Sequence, residues 1–172
     1  MIPTAFFIYT NMRYSFFLLL VFFLPNCQSN TSEDTASLFE EYFQAFPNLI
    51  QPLDPTLAAQ SIKEQAFKLY NANQHDQARV LFEELRVRIQ DPEVDFYHGI
   101  SLLALGQPEN ALALFRGIQT SVQFYDHAQW YSALAYIQKG EAEKAKEILQ
   151  NIIQRPGMIY NQSKAKDLLD RL

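Results

Sequence analysis

The sequence predicts an all-α chain: a solenoid of helical hairpins in about three copies, with a C-terminal capping helix and an extra N-terminal helix. Three observations carry this prediction. Small and bulky residues recur in fixed order at a spacing of 33 and then 34 residues, as a repeat array requires. The same spacing separates Asn73, Gly106 and Gly140, residue types that tolerate the left-handed conformation ending a helix. The C-terminus has one apolar stripe, Ala165, Leu168, Leu169 and Leu172, which is what a terminal cap needs.

Taken in order, residues 1–27 read as a signal peptide. Arg13 is their one charge, and the uncharged run Tyr14 to Leu24 follows it. A positive n-region before an apolar core is the secretory pattern. That run as a helix would cross only about half of a ~30 Å bilayer core. Met12 reads as the true start, with residues 1–11 lying upstream of it. Counting Ala5 to Tyr9 as well gives the alternative, a single-pass signal anchor interrupted by Asn11 and Arg13. Leu24-Pro25-Asn26-Cys27 resembles a bacterial lipobox through Leu24 and Cys27. The resemblance implies lipidation of Cys27 and a lipid anchor in the cell envelope, at the outer membrane, with the remaining chain facing the periplasm.

Residues 28–35 are polar with nothing to bury, and read as a tether. Residues 36–56 combine an amphipathic helix over 36–46 with a linker broken by Pro47, Pro52 and Pro55. The helix presents Leu38, Phe39, Tyr42, Phe43 and Phe46 as one aromatic stripe. The repeat domain is placed at 57–172, with copies at about 59–91, 92–125 and 126–157 and a capping helix at 159–172. Its small residues are Ala66, Gly99 and Ala133, then Ala78, Ala111 and Ala145. They let the two helices of a hairpin approach closely. Leu69, Leu102 and Tyr136, with Phe82, Phe115 and Leu149, fill the space around them. Asp91-Pro92-Glu93 and Arg155-Pro156-Gly157 mark the boundaries between copies.

This ladder resembles the tetratricopeptide repeat family over about residues 59–157. That family carries Gly or Ala at repeat position 8, Gly at 15, Ala at 20 and Phe at 24. Those positions here are Ala66, Asn73, Ala78 and Phe82, then Gly99, Gly106, Ala111 and Phe115, then Ala133, Gly140, Ala145 and Leu149. The family's Trp at position 4 is replaced by Ile62, Asp95 and Gln129, and its terminal Pro is absent. The resemblance implies a right-handed solenoid whose first helices line a concave groove. The residues it assigns to that groove are Lys63, Phe67, Tyr70 and Asn71, with Gln60 beside them. The second copy adds Phe96, Ile100 and Leu103, and the third His127, Trp130, Leu134 and Ile137.

Charge and composition narrow the function. The chain has 14 basic and 19 acidic residues, an excess of acid that argues against nucleic acid as a partner. A single cysteine rules out an internal disulfide framework and a cysteine zinc site. No glycine-rich phosphate loop, HExxH, paired CxxC or nucleophile elbow occurs, so no enzyme, cofactor or metal is expected. His75 is placed in a solvent-facing turn, and His98 and His127 are read as packing or hydrogen-bonding residues, not catalytic ones. The expected role is a membrane-tethered scaffold that binds a protein or peptide helix in its groove, with Trp130, Phe96, Phe67 and Tyr70 as anchors. The alternative role is an obligate accessory subunit of an outer-membrane assembly, secretion or cell-wall machine. A competing expectation for the groove is that the chain's own helix 36–46 fills it.

Overall fold

A computed structural model describes residues 31–48, 62–118, 121–155 and 161–172. The described residues form eight helices and no strand: α1 Thr31–Tyr42, α2 Ile62–Asn71, α3 His75–Arg88, α4 Pro92–Ala104, α5 Pro108–Gly117, α6 Tyr125–Gln138, α7 Ala142–Gln154 and α8 Gln162–Arg171. From α2 onward each helix packs on its neighbours in sequence, giving hairpins α2–α3, α4–α5 and α6–α7, with α8 against α7.

The three hairpin turns are one structure built three times. Asn73, Gly106 and Gly140 have φ of 56°, 69° and 74°, the left-handed region where glycine is free and asparagine is the common substitute. Around each, the amide three residues past the helix end bonds back to the last turn. Gln74 donates to the Leu69 carbonyl, Gln107 to Leu102 and Glu141 to Tyr136, at 2.9, 2.8 and 2.9 Å. These bonds satisfy carbonyls that a helix end would otherwise leave orphaned. The boundary between the first two hairpins is made differently. Asp91 accepts the Glu93 amide at 2.9 Å, and Pro92 opens α4, where a missing N–H loses nothing.

Between paired helices the small residues do what their size suggests. A Cβ built on Gly99 would lie 2.8 Å from Cζ of Phe115 and closer still to Cε1, so the α4 backbone rests directly on that ring. Ala66, Ala78, Ala111, Ala133 and Ala145, at the small-residue positions of the three copies, are all fully buried. Phe82, Phe115 and Leu149 fill the hairpin cores, and Ala165 and Leu168 of α8 close the far end. The side-chain amide of Gln162 donates to the Ile152 and Arg155 carbonyls, which ties α8 to the end of α7.

The N-terminal helix differs from expectation at both ends. Thr31 to Asp34 are helical, not tether, and Thr35 is buried. Asp34 in the first turn favours this start, since acids suit the positive end of a helix dipole. The helix then stops at Tyr42, four residues short of Phe46. Pro47 disfavours helical backbone at Phe46, because the residue before a proline is pushed out of the α region, and the last helical bond runs from the Phe43 amide to the Phe39 carbonyl at 2.8 Å. Residues 43–48 are non-helical and follow their own path. Cys27, the signal segment, most of the linker and Gln60 lie outside the described residues.

Candidate protein-interaction groove

The first helices of the three hairpins and the end helix share one face, because a single stretch of chain touches all four. That stretch is the end of α1 with residues 43–47. At α8, the Arg171 guanidinium grips the Glu41 carboxylate through two bonds of 2.6 and 2.7 Å and donates to the Tyr42 hydroxyl at 3.0 Å. The Tyr42 hydroxyl in turn donates to Asp167. At α6, the Tyr42 ring lies 6.5 Å from Trp130, and Phe43 meets the edge of Tyr131. At α4, Phe46 packs edge-on to Phe96 at 5.3 Å and beside Tyr97, with the His127 ring of α6 at 4.6 Å. At α2, the Tyr70 hydroxyl reaches the Phe46 carbonyl.

The main chain of this stretch has left the helix, so its carbonyls need new donors. Three tyrosines supply them. Tyr131 donates to the Gln44 carbonyl at 2.7 Å, Tyr70 to Phe46 at 2.7 Å and Tyr97 to Pro47 at 3.2 Å. Each net bond of this type contributes about 1 kcal/mol, but leaving the buried Phe46 carbonyl unpaired would cost more. The rings of Tyr70, Tyr97 and Tyr131 are buried while their hydroxyls point at the segment, the usual arrangement for tyrosine at an interface.

The residues expected to line the groove fall into three groups. Tyr70, Phe96, His127 and Trp130 face the N-terminal segment, as described. Phe67, Ile100, Leu103, Leu134 and Ile137 are buried in the stack itself. Phe67 meets Phe82 and Tyr97 edge-on, and the Leu103 carbonyl accepts the Gln138 amide at 3.2 Å. Lys63 and Asn71 have no described contact with the N-terminal segment. Asn71 is exposed, whereas Lys63 is held by Asp91 and Glu93, each at 2.8 Å. Burial pushes the Lys63 pKa down, and bonding to the two carboxylates more than reverses this, so the value is raised. Asp91 moves oppositely: burial raises it, and Lys63 with the Glu93 amide holds it below the ordinary range.

Sequence reasoning missed Tyr97 and Tyr131, which stand 34 residues apart at equivalent positions of their copies. That register was the available signal. Asp167 and Arg171 are exposed on α8, and both nevertheless bond to the end of α1. His75 is not a solvent-facing turn residue but opens α3 half-buried against the edge of Tyr70. Burial lowers its pKa, with Asp76 opposing, and lowers that of His127, with Asp126 opposing. His98 is buried beside Phe82, and its pKa falls to about 4 through burial first, then the Arg86 and Arg79 charges. The three imidazoles sit in separate environments. Among the described residues, no three His, Cys, Asp or Glu side chains come together as a metal site would need. No described helix is long and apolar enough to cross a membrane.

Known families speak to one part of this architecture. Residues 127–157 match the tetratricopeptide repeat model. The matched stretch is the third hairpin, α6 and α7, and the first two hairpins repeat its turn and its small-residue contacts. No curated protein and no solved structure matches the chain. The all-helical stack is that of a tetratricopeptide-like solenoid. Tetratricopeptide repeats commonly bind proteins or peptides and are generally non-catalytic.

Proposed function

We propose that this chain is a non-enzymatic, membrane-tethered interaction scaffold of a bacterial cell envelope. In this reading Cys27 carries the lipid at the outer membrane, and the tetratricopeptide-like domain faces the periplasm and holds a protein partner. The observation that supports recognition most directly is the occupied groove. Phe46 sits in an aromatic pocket of Phe96, Tyr97 and His127 while three tyrosine hydroxyls hold main-chain carbonyls around it. That is how a surface grips a peptide. The anchor is supported by the apolar run ending at Leu24 and by the position of Cys27, the chain's one cysteine, just behind it.

Two experiments test the reading. Cys27→Ser should move the protein from the membrane fraction to the soluble periplasmic fraction; continued tight anchoring would assign the N-terminus to an uncleaved signal anchor. A photo-cross-linker at Asn71, exposed and next in sequence to Tyr70, should capture partner protein in the native envelope. An adduct pattern empty of other proteins would count against a scaffold.

A further inference from the structure

We infer that residues 38–47 are a displaceable resident ligand of the groove, and that the partner presents a segment of the same chemistry. The proposal rests on the interaction reading above, and not on the membrane anchor. The partner segment is a helix ending in an acid and an aromatic, followed by a second, non-helical aromatic and, after two more residues, by Phe-Pro. In this chain those residues are Glu41, Tyr42, Phe43, Phe46 and Pro47.

Several features separate this segment from the core it covers. Helices α2 to α8 pack in unbroken succession, each on the next, and none of those contacts passes through α1. Stability in such arrays comes mainly from each hairpin and its neighbours. The segment is not a copy of the repeat. Residues 49–61 separate it from α2, so it reaches the groove as a tethered ligand would. Its outer fastening, Glu41 to Arg171, lies at the exposed margin, where ion pairs contribute little. Only Phe46 and the Leu38–Phe39 pair of its large apolar side chains are buried; Tyr42 and Phe43 stay half-exposed. The three tyrosine bonds read main chain, so they accept any sequence that can follow the same path. Specificity is left to the aromatic pockets and to Arg171.

A tethered ligand competes at an effective concentration of order mM, so a free peptide should bind the intact chain poorly. The probe is a fluorescent peptide spanning residues 31–48, titrated by anisotropy into the full-length chain in detergent. The double variant Phe43→Ala/Phe46→Ala should bind it at least tenfold more tightly than the wild type. Adding Tyr97→Phe and Tyr131→Phe to that variant should weaken the peptide about tenfold. Trp130, which lies against Tyr42, should report the docking as a fluorescence change. A double variant that keeps its helical circular dichroism yet binds no tighter than wild type overturns the proposal.

A second test does not depend on that variant folding. A protease site inserted within residues 50–56 of the otherwise native chain is cut after purification. The N-terminal fragment should then exchange with the labelled peptide while helicity persists. A fragment that never exchanges, or whose release melts the domain, would make the segment a fixed part of the core and end the proposal. So would a wild-type dimer in which each copy's segment occupies the other's groove.

Discussion

Gly99→Ala tests whether close helix approach is the reason for the small-residue ladder. The new methyl carbon would sit 2.8 Å from Cζ and 3.1 Å from Cδ1 of Phe115, so the ring or the α5 backbone must give way. Overpacking a filled core of this kind costs about 1–3 kcal/mol. Replacing a mid-helix glycine by alanine returns about 1 kcal/mol of helix propensity. The net expectation is a loss of between about 0 and 2 kcal/mol. The third copy suggests the repair, because it carries Ala133 opposite Leu149, a smaller side chain at the position of Phe115. Gly99→Ala/Phe115→Leu should therefore recover part of the loss, so that the two changes are not additive. Urea unfolding followed by circular dichroism measures both variants. An alanine variant more stable than wild type would show that α4 and α5 have slack at Gly99, and the close-approach argument would fall.

Three further outcomes follow from the described contacts. Tyr131→Phe removes the donor to the Gln44 carbonyl and should loosen α1 by about 1 kcal/mol, read as faster amide exchange in residues 31–48 than in α4 or α6. Equal acceleration throughout the chain would contradict it. His98, with its pKa lowered from 6.5 to about 4, binds its proton more readily when unfolded. Its contribution is therefore complete above pH 6.5 and is lost as pH falls towards 4, by at most about 3 kcal/mol. His98→Leu should flatten that part of the stability profile, and an unchanged slope would assign it to other groups. Lys63→Met breaks the paired contact to Asp91 and Glu93 and should lower stability by up to about 1 kcal/mol, less in high salt. A loss that salt does not reduce would point to packing of the lysine stem instead.

The part of this architecture legible in the sequence is the part governed by local rules. Asn73, Gly106 and Gly140 announce their turns because few residues accept a positive φ, and the same bonds form around all three. Gly99 and Phe115 announce a hairpin because their sizes are complementary. What stayed hidden depends on partners far away in the chain. The Tyr131 hydroxyl finds its acceptor 87 residues back, and the Arg171 side chain meets Glu41 across 130 residues. A tyrosine on an apolar stripe reads as bulk until its acceptor is known. A charged residue on an end helix reads as solvated for the same reason. The exclusion of Phe46 from α1 was within reach, since Pro47 disfavours helical backbone at the residue before it.

Groove occupancy also bears on how the domain holds together. In a stack of hairpins each unit feels only its neighbours, so the end helix and the first hairpin are energetically remote. The segment from Glu41 to Pro47 removes that remoteness: it bonds to Arg171 on α8, Tyr131 on α6, Tyr97 on α4 and Tyr70 on α2. Whatever occupies the groove therefore adds contacts that join all three hairpins and the cap at once. Docking favours the same alignment of first helices that the next bond along the groove requires, so the bonds reinforce one another. Recognition and cooperativity thus draw on the same four helix faces, and an empty groove should leave α8 the first element to fray.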